Sequence, residues 1–187
     1  MPNSSEVFRG RAFADLAAEQ IQKLSSDIAS CSDEYLIRVN SSELAQHKAA
    51  QYSLKPLVIK FDLTRVSIEK AGPPQPSFRP GIIEPEGIQT CHARYHLPFD
   101  GDVRLLHCAP DPRSPFSLPL NVVDDCLCFD VITSSASESQ TVNTEAEAIM
   151  QSIMEQYRSL ARQVEAYNVK LYATALSEIE RRLVQGA

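Results

Sequence analysis

The last quarter of the chain, from about Thr144 to Gln185, carries one uninterrupted helical pattern with no Pro or Gly inside it. Roughly forty residues at 1.5 Å each make a rod of about 60 Å. That is longer than a globule of 187 residues is wide, so either the rest of the chain packs along it or a second copy does. The ends are marked. Thr144 and Glu147 have capping-box spacing, Glu145 and Glu147 suit the positive end of the helix dipole, Arg181 and Arg182 suit the negative end, and Gly186 is a natural stop. The apolar seam runs Ile149, Ile153, Tyr157, Leu160, Val164, Tyr167, Leu171, in alternating steps of three and four. It then shifts to Tyr172, Leu176, Ile179 and Leu183, a break of the kind that changes winding or packing partner. Two arrangements would hide such a stripe: the chain's own sheet, or a dimer seam through Ile153, Tyr157, Leu160, Val164, Tyr167 and Leu171. Periodicity shows the stripe and not its cover.

The chain fits one domain, and 43% hydrophobic with 22% charged residues is ordinary composition. No apolar run approaches the ~20 residues that cross a bilayer, and the N-terminus lacks a basic start followed by an apolar core. Five cysteines without regular spacing suit a reducing compartment better than a disulfide scaffold. Together these point to a cytoplasmic address, of bacterial or general type. A net charge of −6 argues against direct contact with nucleic acid.

Residues 1–30 read as helical, with Asn3 and Glu6 as a capping pair, Gly10 as a break, and a stripe of Phe13, Leu16, Ala17, Ile21, Leu24 and Ile28. Tyr35–Val39 is a short apolar run, a strand or a link. A second helix covers Glu43–Tyr52, capped by Asn40. From Leu57 the period changes, and Leu57–Phe61 and Leu63–Glu69 read as strands. Ala71–Gly87 holds Pro73, Pro74, Pro76, Pro80 and Pro85 and reads as a surface loop pinned by Phe78, Ile82 and Ile83. Ile88–Leu97 is a strand with Cys91, Ala93, Tyr95 and Leu97 on one face and His92, Arg94 and His96 on the other. Asp100-Gly101 predicts a hairpin with Val103–Cys108 as the return strand. Leu118–Val123 and Cys126–Ile132 form another hairpin through Asp124-Asp125, and Ser134–Thr144 is a polar linker. Blocks of helices, five or six strands and one helix predict an α+β domain on antiparallel pairs. Its parts are a helical segment 1–55, a β-rich body 56–133, a linker 134–143 and the long helix 144–185.

Three constellations bear on chemistry. His92, Arg94 and His96 share a strand face, with His107 expected on the paired strand. Two histidines four residues apart on a strand lie roughly 13 Å apart, too far for one zinc ion, which needs three or four ligands in tetrahedral array. Cys126 and Cys128 point to one face and read as small apolar fillers. Asp100, Asp102, Asp124, Asp125 and Asp130 fall mainly in turns, where Asp serves backbone geometry. There is no nucleophile elbow, phosphate-cradling loop or helical zinc motif, so no catalytic residue, metal or cofactor is assigned.

The run Tyr95-His96-Leu97-Pro98-Phe99-Asp100-Gly101-Asp102, followed by an apolar strand, a proline-broken link and a helix with Val164-x-x-Tyr167-Asn168-x-x-Leu171 and closing Arg181-Arg182, resembles a module of uncharacterised bacterial proteins. There it precedes an effector, in some a restriction-type nuclease domain. The resemblance spans about Leu54 to the end. It implies a sensor, adaptor or oligomerisation unit of a defence-type system, partnered by an effector domain or another protein, and brings no catalytic residue with it. Two functions follow. In one, the β-rich body binds a partner or ligand, with His92, Arg94 and His96 as a candidate ligand face, while the long helix forms a homodimer or homo-oligomer. In the other, the chain is a small metal-dependent hydrolase using His92, His96, His107 and nearby carboxylates.

Overall fold

The computed structural model describes residues 7–70, 90–112, 119–134 and 139–185. Along the chain these form β1 (Arg11–Ala12), α1 (Phe13–Ser30), α2 (Asp33–Arg38), α3 (Ser41–Tyr52), β2 (Val58–Ile59), β3 (Arg65–Lys70), β4 (Thr90–Asp100), β5 (Cys108–Ala109), β6 (Asn121–Val123), β7 (Cys126–Ser134) and α4 (Ser139–Gln185). Short 3-10 turns cover Phe61–Leu63 and Val103–His107. The fold is α+β, with an antiparallel five-stranded sheet, a small two-stranded parallel one and a long C-terminal helix. The chain divides into two compact units, one drawn from residues 58–100 and 116–155, the other from 7–57, 101–115 and 156–187. The proline-rich run 71–87, with Phe78, Ile82 and Ile83, and the capping pair Asn3 and Glu6 lie outside the described residues.

In the sheet unit, β4 is central. β7 pairs along one edge, from Thr90↔Ser134 to Pro98↔Cys126, while β2 and β3 share the other in succession. Between those two the Phe61–Leu63 turn bulges out, and Lys60 N–H donates to Pro98 O at 2.8 Å to keep the chain beside β4. The alternation read from the sequence holds. Ala93, Tyr95 and Leu97 are buried, His92, Arg94 and His96 half-buried, and Tyr95 stacks on Phe129 with ring centres 4.8 Å apart. β6 and β7 form the second hairpin. Its central residues Asp124 and Asp125 have φ of 48° and 57°, the left-handed pair that a two-residue turn between right-twisted strands requires. Asp enters that region with a lower penalty than most residues.

The first hairpin does not form. Val103–His107 is a 3-10 turn, and β5 pairs with β1 instead of β4. The Asp102 carboxylate accepts from Arg104 N–H at 3.0 Å and caps the turn. Leu105 and Leu106 are both fully buried, which a strand, showing successive side chains to opposite faces, does not achieve on a one-sided sheet. Tyr35–Val39 also differs: Asp33–Arg38 is helical, started by Ser32 Oγ, which accepts from Tyr35 N–H at 3.3 Å.

In the helical unit, Asn40 caps α3 as expected, its Oδ1 accepting from Ser42 and Glu43 N–H at 2.9 and 3.3 Å. α1 buries Phe13, Leu16, Gln20, Leu24 and Ile28. The expected Ile21 is 36% exposed. The unit is tied to the second half of α4 by side chains that satisfy backbone groups. The Asn168 amide accepts from Leu54 N–H at 3.0 Å and donates to Leu54 O at 2.8 Å. Arg182 donates to Ala29 O at 2.6 Å and Cys31 O at 3.3 Å, serving the open carbonyls at the end of α1.

α4 begins at Ser139, so Thr144 lies inside the helix and the capping box is not its start. Its buried stripe is Ala146, Ile149, Ile153, Gln156, Leu160, Val164, Tyr167, Leu171, Ala175 and Ile179. No shift occurs after Leu171, because Ala175 continues the line; Tyr172 is 39% exposed and donates to Ser42 Oγ at 3.3 Å. Steps of four outnumber steps of three, close to the natural period of a straight helix and unlike the 3.5-residue period of a left-handed coiled-coil seam. Ile153, Leu160, Val164, Tyr167 and Leu171 are buried within a single copy, and Tyr157 is half-buried. Exposing those five to pair with another helix would cost roughly 10 kcal/mol, about the whole stability of a domain. The seam is core.

Candidate functional site

The register of the sheet decides which polar side chains meet. Arg65↔His96 and His96↔Cys128 are cross-strand pairs, as are Ser67↔Arg94 and Arg94↔Asp130. Members of an opposed pair project to the same face, so β3, β4 and β7 each contribute to one polar surface. Arg94 is used up there. Its Nε and Nη2 donate to the two Asp130 carboxylate oxygens at 2.7 and 3.0 Å, a fork-to-fork geometry that holds the Asp130 carboxyl below the usual range. Arg94 therefore brings a compensated charge to the ligand face expected of His92, Arg94 and His96.

His96 is held from both sides. Its Nε2 lies 3.0 Å from Ser67 Oγ and its Nδ1 3.3 Å from Cys128 Sγ. Burial pushes the Cys128 thiol up, so the sulfur keeps its proton, with Cys126 O at 3.7 Å and His96 Nδ1 at 3.3 Å both in its reach. The imidazole thus spans a hydroxyl and a thiol, each able to donate or accept. Ser67 Oγ can turn its own proton to an outside acceptor when Nε2 carries the ring proton.

Above His96 lies an open trough of about 410 Å³, lined by Arg65, Val66, Ser67, His96, Val123, Asp124 and Cys126. That volume is in the range of small-ligand sites. Arg65 forms one wall, with no ion pair to any described residue, and Asp124 of the β6–β7 turn lies in the opposite one. The trough thus offers donors on the β3 side and a carboxylate on the other. The sequence points to His96 but not to Arg65, Ser67 or Asp124 as its neighbours, since two strands and the β6–β7 turn bring them together.

The other constellations do not converge. His92 and His96 are separated along β4, and His107 lies in the 3-10 turn of the helical unit, not on a strand paired with β4. Among the described residues no group of three or more His, Cys, Asp or Glu could hold a metal ion. Cys126 and Cys128 are buried and free, and the side chain of Cys91 lies outside the description. Asp102 serves Arg104, Asp130 serves Arg94, and Asp124 and Asp125 make the turn. No described helix is long and apolar enough to cross a membrane. Comparison with family models, curated proteins and solved structures finds no match.

Proposed function

We propose that this chain is a non-catalytic binding module whose sheet takes up a ligand or a partner's side chains in the trough above His96. The observation that carries this is the arrangement of Arg65, Ser67 and His96 along one side of a cavity of about 410 Å³, with Asp124 across from them. A carboxylate or phosphate fits the Arg65–Ser67 side, where a fixed charge and a hydroxyl proton face it, and a donor fits Asp124. His96 is held between the Ser67 hydroxyl and the Cys128 thiol, with no carboxylate among its described hydrogen-bond partners to orient it as a base, which supports binding over catalysis. The setting in a bacterial defence-type system, with an effector domain or partner protein, is carried by the resemblance around Tyr95–Asp102 and Val164–Leu171 alone.

A thermal-shift screen with inorganic phosphate, succinate and a short acidic peptide tests the site. The Arg65→Gln, Ser67→Ala double variant alters exposed positions, so it keeps the unliganded melting temperature and loses the shift given by any of these probes. Equal shifts in both proteins would place binding elsewhere, and no shift with any probe in the wild type would remove the oxyanion chemistry.

A further inference from the structure

β3 uses one edge for β4, and no described strand pairs with the other. Along that outer edge Val66 is 49% and Ile68 68% exposed. Such an edge is a template for another strand unless it is short, bulged or guarded by charge. β6, at the opposite side of the sheet, is guarded by its three-residue length. β3 has six residues, with charges at Arg65, Glu69 and Lys70.

Charge guards an edge by setting like against like when two copies meet. The order in β3 does the reverse in one register. Antiparallel pairing of two copies centred on Ser67 sets Arg65 against Glu69 of the second copy, twice by symmetry. It also sets Val66 against Ile68 of the second copy, again twice, and Ser67 against itself. Parallel pairing sets Arg65 beside Arg65, and an antiparallel register one step away sets Arg65 against Lys70. Both are repulsive. Centred on Ser67, the pattern is self-complementary over five residues in a two-fold arrangement, as an isologous contact requires.

We infer that β3 is the self-association edge of this protein, joining two copies into one continuous sheet through antiparallel β3–β3 pairing about Ser67. The occupant is a second copy of this chain, selected by that charge order. Paired β-branched residues cover the apolar atoms of Val66 and Ile68. The contact is one strand wide, well below a standard interface, so the dimer is weak and concentration-dependent. Self-association moves from the long helix, whose seam is core, to an edge that no described strand takes up. The inference does not depend on the trough's occupant. A guanidinium has five donors, so Arg65 can meet Glu69 of the second copy and still face the trough.

Sedimentation equilibrium over a wide concentration range reads the monomer–dimer balance. The wild type dimerises reversibly. Arg65→Glu weakens the dimer by ~tenfold or more, and adding Glu69→Arg restores it, since the swap preserves the complementarity. Ser67→Cys forms an intermolecular disulfide under mild oxidation beyond that of the wild type, because only a residue on the two-fold axis faces itself. Circular dichroism checks that each variant is folded. A wild type that stays monomeric at every concentration, a dimer indifferent to Arg65→Glu, or a charge swap that fails to restore association would each overturn the inference.

Discussion

The phenol of Tyr167 meets the Phe13 ring edge-on, centres 6.3 Å apart, and donates to Tyr52 O at 3.1 Å. Its burial pushes its pKa up to about 12. The unfolded chain ionises its tyrosines near 10, so the neutral phenol's contribution is complete below about pH 10 and is lost as pH rises towards 12. Tyr167→Phe keeps the ring contact and leaves the Tyr52 carbonyl without this donor. Urea unfolding at pH 8 should show the variant about 1 kcal/mol less stable. The gap should narrow as pH rises from 10 to 12, because only the wild type loses this contribution; a gap constant with pH would mean Tyr167 ionises freely when folded. At the same scale, Gln20 shows where sequence patterns mislead. It occupies the strict helical position between Leu16 and Leu24 and is 6% exposed, with its Nε2 lacking a described partner. Ile21 is the more apolar residue, yet it sits one position off the stripe. Position outweighed chemistry.

Among the elements, the chain at Gly101 illustrates a similar lesson. Asp-Gly ahead of an apolar run is a hairpin signal, but Gly101 has φ of +115° and its backbone lies against Pro56 and Leu57. An added Cβ would stand 2.3 Å from Pro56 O and 2.9 Å from Leu57 Cα, and those are backbone atoms that cannot swing away. Gly101→Ala should therefore cost about 3 kcal/mol or more, read as a drop in melting temperature; a near-neutral substitution would show that this turn adjusts readily. The glycine was visible in the sequence as a turn. That it serves close approach of two backbones, and that Asp102 then caps a 3-10 turn, depends on where Pro56 passes. By contrast, the alternation of β4 and the capping of α3 by Asn40 were legible, because each rests on neighbours within a few residues. The trough was not: Arg65, His96 and Cys128 share a row only through strand register, which no single strand encodes.

At the scale of the molecule, the long helix was legible as an element and its burial as a stripe, while what covers the stripe was not. Leu160→Asp tests the outcome. An unpaired carboxylate at a position with no exposure should cost on the order of 4 kcal/mol, so the variant loses cooperative unfolding or fails to accumulate as folded protein. A folded, merely monomeric variant by circular dichroism and sedimentation would return the seam to an interface. The arrangement of the two units has a further bearing on how the protein is made. Each is assembled from pieces of chain that alternate along the sequence, and the helical unit takes its final piece from residue 156 onwards. A ribosome delivers α1 and α3 long before Asn168 and Arg182, the residues that satisfy Leu54 and the end of α1. Residues 13–52 must wait, partly uncovered, until residues 156–182 have been translated, and no single cut between those stretches would release an intact helical unit.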